Sequence, residues 1–339
     1  MKMSTIYQVS ELAGVSLSSV SRVMNNHEHV SEKTKSKVLS AIAELDYRPN
    51  FTARSLASKC SNSVGVLVAE ISGPFYSDLL SGVESELSHA NKHAVIISGG
   101  SNEKKEIDAI QFLIDRNCDA LILCVDFVSD EYLINLTNDS TTKVVIINRF
   151  IEKISDNCIF IDNILGSYQA TEYLIQNGHK NIAYLSGPLS KADAKDRFNG
   201  YQKALIDNKI SLDKALTFEA DYTTIGGRAG MLSLIKSNKA FTAVVCANDE
   251  MASAAMRVAR ENKVRVPEDC SIMGFDNVYF SEYLYPQLTT IEYPINKMAK
   301  MAVQWVLKNK YKQKKITIKH QFYTELIIRE STQFCSIKT

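Results

Sequence analysis

Ser18, Ser21, Arg22 and Asn25 fall at i, i+3, i+4 and i+7 in the stretch GVSLSSVSRVMNN (14–26). On a helix they share an arc of roughly 100°. Val20, Val23 and Met24 point another way, so the polar face is left free. Small hydroxyls and amides with one fork-shaped guanidinium are the groups that read base edges in the DNA major groove. A polar helical hairpin without a ligand has the same periodicity, and periodicity alone leaves that alternative open.

So thin an apolar stripe needs partners. Upstream, TIYQVSELAG predicts a first helix. Thr5 and Gln8 have capping-box spacing, Ile6, Val9, Leu12 and Ala13 form its buried stripe, and Gly14 ends it. Ser16 caps the second helix. A third helix follows Ser31, with Val38, Ala41, Ile42 and Leu45 as its apolar cover. Two short helices joined by a tight turn, covered by a third, make a helix-turn-helix.

Pro49 breaks whatever precedes it. NFTARSLASK (50–59) predicts one short helix with little apolar cover, marginal in isolation because nucleation costs more than so few hydrogen bonds return. A plain linker is the alternative.

From residue 63 the pattern changes. SVGVLVAEIS, HAVIISGG, DALILCV, KVVIINR, CIFIDN, NIAYLSG, LTFEADY, FTAVVCAND and SIMGFDN are short β-branched runs separated by amphipathic stretches. Apolar strands alternating with helices predict parallel sheets covered on both faces, and this many units suit two lobes. Ligands of such sheets bind beyond the carboxyl ends of the strands. Those ends carry Arg149, Asp162, Tyr222, Asn248, Asp249 and Asp276. Bidentate polar groups with aromatics nearby suit a small polyol.

Composition bounds the rest. At 339 residues the chain should hold two or three domains. Apolar content of 45% and charged content of 23% are ordinary for globular protein. No apolar run of about 18 residues spans a membrane, and the first 30 residues lack an apolar signal core, so a cytoplasmic location is expected. The seven cysteines include no CxxC pair, which favours buried reduced thiols over disulfides or a metal site. Residues 1–60 hold eight Lys/Arg against five Asp/Glu, whereas the remainder holds 31 against 33. A modestly basic head on a near-neutral body agrees with phosphate contact by the head alone. No Walker loop, GxSxG or HExxH is present, so no enzyme and no cofactor is expected.

The segments TIYQVSELAGVSLSSVSRVMN, YRPNFTARSLASK, GPFYSDLLSGVE, NGHKNIAYLSG, ANDEMASAAM, IMGFDN and PQLTTIEYP resemble the lactose repressor family in order and spacing, from about residue 4 to about residue 331. Within it, VVIINRF, CIFIDN and PQLTTIEYPINKMAK look closest to the galactose repressor and isorepressor group.

The resemblance implies an all-α helix-turn-helix DNA-binding head at 1–48 and a hinge helix and linker at 49–62. The α/β effector-binding core at 63–339 would then hold two doubly wound parallel-sheet lobes of the periplasmic sugar-binding type. Lobe 1 would take about 63–161 and 293–321, and lobe 2 about 162–292 and 322–333. It implies a homodimer on a palindromic operator. The C-terminal RESTQFCSIKT lacks the leucine heptads through which some members form tetramers.

Residue by residue, the resemblance gives Leu17, Ser18 and Arg22 to base edges and Ser16, Ser21 and Asn25 to phosphates. His29 lies near the DNA, and Thr5, Tyr7 and Asn50 belong to the same set. Leu56 would be the wedge that opens the central base step, with Ala53 and Ala57 lining the minor groove. By spacing, Leu17 also borders the Val20–Met24 stripe, and a core role stays open.

For the effector, Phe75 or Tyr76 would stack on a sugar face and Tyr222 would form a second wall. Arg149, Asp162, Arg197, Asn248 and Asp276 would bond hydroxyls. Alternatives remain: an Arg149–Asp162 ion pair, Phe75 as helix core, and Asn248 as a helix cap. The implied function is a repressor induced by D-galactose or a related sugar. A β-glucoside, purine or protein co-repressor is the alternative effector, and a sugar-binding protein without DNA function is the alternative class.

Overall fold

The computed structural model describes residues 4–24, 29–47, 60–100, 102–139 and 142–335. The chain separates into two compact units, Met1–Ser61 and Asn62–Thr339.

The first unit is helical. Helix α1 (Ile6–Ala13) opens on a capping box, in which Thr5 accepts from the Gln8 amide and the Gln8 side chain accepts from the Thr5 amide. It ends at Gly14, whose φ of 63° lies in the left-handed region that glycine enters without strain. Helix α2 (Leu17–Met24) starts where Ser16 Oγ accepts from the Ser19 amide at 3.2 Å. Helix α3 (Glu32–Glu44) is capped by Ser31. Val9, Ala13, Val20, Val23, Val38, Ala41 and Tyr47 form the core of this unit. Leu12 departs from its expected place in that core. It is 46% exposed, because the eight-residue helix buries only the strip carrying Val9 and Ala13.

The second unit alternates strands and helices. Strands β1 (Ser63–Val68), β2 (His93–Ser98), β3 (Ala120–Leu123), β4 (Lys143–Ile147) and β5 (Cys158–Ile161) form a parallel sheet ordered β2-β1-β3-β4-β5. Helices α4 (Pro74–His89), α5 (Glu103–Asp115) and α6 (Asp130–Asp139) connect them. After α7 (Asn163–Gln176), strand β6 (Ile182–Ser186) begins a second parallel sheet. It continues through α8 (Ala192–Asp207), β7 (Thr217–Glu219), α9 (Thr224–Lys236), β8 (Ala243–Cys246), α10 (Asp249–Glu261) and β9 (Ser271–Met273), in the order β7-β6-β8-β9.

The chain then crosses twice more. Strand β10 (Thr290–Glu292) leads to α11 (Ile295–Asn309), which packs on α4 and β4 of the first sheet. Strand β11 (Gln321–Phe322) adds to the edge of that sheet beside β5, and β12 (Glu325–Ile327) returns to pair antiparallel with β10. Strands β1, β3, β4, β6 and β8 are buried almost throughout, as expected for β-branched runs covered on both faces. Cys118, Cys124, Cys158, Cys246 and Cys270 are buried thiols. Among the described residues no helix is long and apolar enough to cross a membrane.

Candidate ligand cavity and nucleic-acid-facing helix

The polar arc of α2 faces solvent. Ser18, Ser21 and Arg22 are exposed, while Val20 and Val23 on the opposite strip are buried. Leu17 is 37% exposed, so the first turn of α2 presents it at the surface instead of sealing it in the core. Thr5, Tyr7, Ser16 and His29 are exposed as well. Thr5 and Ser16 also serve as helix caps, so each already has a structural partner. Asn25, Asn50, Ala53, Leu56 and Ala57, and with them the expected hinge helix, lie outside the described residues.

In the second unit, the carboxyl ends of both sheets converge on a cavity of about 310 Å3. Glu70 follows β1 and Phe75 and Tyr76 stand in the first turn of α4, while Asp126 and Asn148 follow β3 and β4. From the second sheet come Lys191, Asp193 and Arg197 after β6, Tyr222 after β7, Asn248 after β8 and Asp276 after β9. Phe75 packs edge-on against Tyr76 and Tyr293, with ring centroids 5.3 and 5.1 Å away. That packing fixes its ring at the cavity wall; it is at once core and lining.

Arg197 is the deepest of these groups, 2% exposed. Its Nε donates to Asn163 Oδ1 at 2.9 Å, and Nη1 donates to the Ala247 carbonyl at 2.5 Å and to Asp276 Oδ1 at 3.3 Å. The guanidinium also lies 3.8 Å from the centre of the Phe275 ring. Burial pushes the Asp276 carboxyl up, against the pull of Arg197.

Asn248 has two roles. Its Oδ1 caps α10 by accepting from the Met251 amide at 2.9 Å, and its Nδ2 donates to the Tyr222 carbonyl at 2.8 Å. Tyr222 sits at φ 69° and donates from its hydroxyl to Asp193 Oδ2 at 3.2 Å. Burial raises the Tyr76 and Tyr222 hydroxyls, so both remain neutral hydrogen-bonding groups.

Two expected cavity residues stand elsewhere. Asp162 is exposed and caps α7 by accepting from the Leu165 amide at 2.8 Å, so its carboxylate serves the helix. Arg149 turns away to Asp130, 2.6 Å distant, and to the Val128 carbonyl at 2.7 Å. The alternative Arg149–Asp162 pair is therefore absent as well. Asn148, with φ 68°, lines the cavity in place of Arg149. Glu70, Asp126, Lys191, Asp193, Asp221 and Glu250 line it without having been singled out by sequence. Glu70 lies two residues past β1 and Asp126 three past β3, where the strand-end rule could have found them.

An exposed helix-turn-helix face and a cavity between two parallel sheets define a DNA-binding transcriptional regulator with a ligand-responsive core. The chain belongs to the lacI family of bacterial regulatory proteins. That family's model matches residues 5–50, and a periplasmic binding protein-like domain matches residues 171–332. The chain is 39% identical to the HTH-type transcriptional regulator GalR of Escherichia coli, over 90% of this chain and 89% of the relative. It is 33% identical to the HTH-type transcriptional repressor PurR of Vibrio atlanticus, over 98% of this chain and 99% of the relative. The structure of the lac repressor dimer bound to operator and the anti-inducer ONPF superposes with a TM-score of 0.86 at 29% identity, covering 98% of this chain and 100% of that one.

Proposed function

We propose that this regulator is a cytoplasmic homodimer that represses sugar-utilisation genes and leaves a palindromic operator when D-galactose or a related sugar fills the cavity. The head, residues 1–48, would grip the operator, and residues 49–62 would act as the conditional hinge. The core would consist of lobe 1 (63–161 and 293–321) and lobe 2 (162–292 and 322–333). The carrying observation is the cavity itself: the aromatic walls Phe75 and Tyr222 flank the paired hydrogen-bonding groups Arg197, Asn248 and Asp276. Flat apolar faces beside bidentate polar groups suit a pyranose, which has both. The likeness to the HTH-type transcriptional regulator GalR agrees with the same choice.

At the head, Leu17, Ser18 and Arg22 would meet base edges, and Ser16, Ser21 and Asn25 would meet phosphates. Leu56 would enter the central base step, with Ala53 and Ala57 along the minor groove. Closure of the cleft on sugar would shift the lobe segments adjoining the hinge and separate its helices. This coupling is reciprocal, so operator must weaken sugar binding by the factor by which sugar weakens operator binding. Titration of operator fragments at zero and saturating D-galactose tests it. A fall in operator affinity supports induction. An unchanged affinity removes the galactose reading, and a rise turns the sugar into a co-repressor.

A further inference from the structure

The cavity walls carry far more negative than positive charge: six carboxylates against one lysine and one arginine. Both cations are already engaged, Lys191 with Asp126 at 2.8 Å and Arg197 with Asp276 at 3.3 Å. The remaining carboxylates are Glu70, Asp193, Asp221 and Glu250, and among the described residues none has a cation within ion-pair distance. Asp193 accepts from the Tyr222 hydroxyl, and Asp221 accepts from the Thr223 amide and hydroxyl; neither partner brings charge.

Glu250 and Glu70 come from opposite lobes. Glu250 stands in the first turn of α10, and its Oε1 lies so near Gly73 that a β-carbon there would meet it at 3.2 Å. Glu70 follows β1 in the other lobe. Burial raises the Glu250 carboxyl, and the charge of Glu70 raises it further, so the two groups feel one another across the cleft.

We propose that this cavity sorts its ligands by charge: neutral and ammonium-bearing hexoses enter, and sugars carrying phosphate or carboxylate are turned away. The proposal rests on the reading of the cavity as a sugar site and adds which sugars it takes. An anionic substituent would enter a space where four carboxylates lack an ion-pair partner, Asp193 and Glu250 half-buried and Glu70 and Asp221 at the exposed mouth, so the half-buried pair is screened least. An ammonium group would meet the same field as an attraction.

Calorimetric titration of the full chain with D-galactose, D-galactosamine, D-galacturonate and galactose phosphorylated on its primary hydroxyl tests this. At about pH 6.5 an amine of ordinary basicity is mostly protonated. Galactosamine is expected to bind at least as tightly as galactose, and both anions at least roughly tenfold more weakly, the size of one pKa unit of differential interaction. Raising the salt should narrow both differences. The combined variant Glu70→Gln with Glu250→Gln should lessen the discrimination against the anions, with thermal melting to verify that it is folded.

If galactose binds and an anion binds equally well, or galactosamine binds more weakly than galactose, charge sorting is overturned while the sugar site stands. Galactosamine binding without galactose binding keeps charge sorting and removes galactose as effector. If none of the four binds, both readings fall.

Discussion

Lys191 Nζ lies 2.8 Å from Asp126 Oδ2, joining the loop after β6 of one lobe to the end of β3 in the other. Both residues line the cavity, one from each lobe. Burial and the neighbouring Asp193 charge still push the Asp126 carboxyl up to about 6, although Lys191 pulls it down.

A pH dependence follows. Asp249, buried beneath Thr290, Ser281 and the Val278 amide, is likewise raised to about 6, chiefly by burial. The unfolded chain loses both protons near pH 4, the folded chain only near pH 6. Between those values the folded state binds more protons, so these two groups make stability fall as pH rises from about 4 to about 6, and the buried Asp276, raised well above the ordinary carboxylate range, carries the fall beyond it. Each group contributes at most about 3 kcal/mol to that slope. Asp269, lowered to about 2 by Arg265, acts only below this window. Urea unfolding across the interval checks the sign; a rise in stability would contradict it.

Arg197→Ala should cost about 3–5 kcal/mol of core stability, because Asp276 then remains buried without its cation. Arg197→Lys keeps the charge but loses the fork that reaches Asn163, Ala247 and Asp276 together, and should fold while binding sugar poorly. Chemical denaturation and sugar titration of the two variants separate these effects.

Gly187→Ala addresses the Tyr222 wall alone. A β-carbon at residue 187 would lie 2.4 Å from the Tyr222 ring, so the ring must leave its place. Such overpacking costs about 1–3 kcal/mol. Sugar affinity should fall roughly tenfold while operator affinity without sugar is kept. Equal sugar affinity in the variant would show that this wall does not touch the ligand.

On DNA, Arg22→Ala should cost about 1–3 kcal/mol on the preferred operator and relax base choice at one position of each half-site. Ser21→Ala should weaken all sequences about equally. Binding measured on an operator library distinguishes the two patterns.

The strands were legible because a parallel strand covered on both faces must be a short continuous apolar run, and VGVLV, DALILC and TAVVC are such runs. The head was legible through its caps, Thr5, Gly14, Ser16 and Ser31, all found in place. Phe75, Tyr76, Arg197, Tyr222, Asn248 and Asp276 reach the cavity as expected. Arg149 missed by one residue, since the positive φ of Asn148 turns that amide inward and sends the longer side chain to Asp130. Asp162 missed because a carboxylate directly before a helix serves equally well as a cap. Glu70, Asp193 and Glu250 carry no local pattern; only the facing of the two lobes makes them neighbours.

The chain passes between the lobes at Ile161–Asn163, Glu292–Ile295 and Phe322–Glu325. These passes lie edge to edge, because Phe322 pairs with Ile161 and Glu325 with Glu292. Three parallel links bound side by side act mechanically as a strap. Any change in the angle between the lobes must bend all three passes together, so a pull taken up by one pass is shared by its two neighbours.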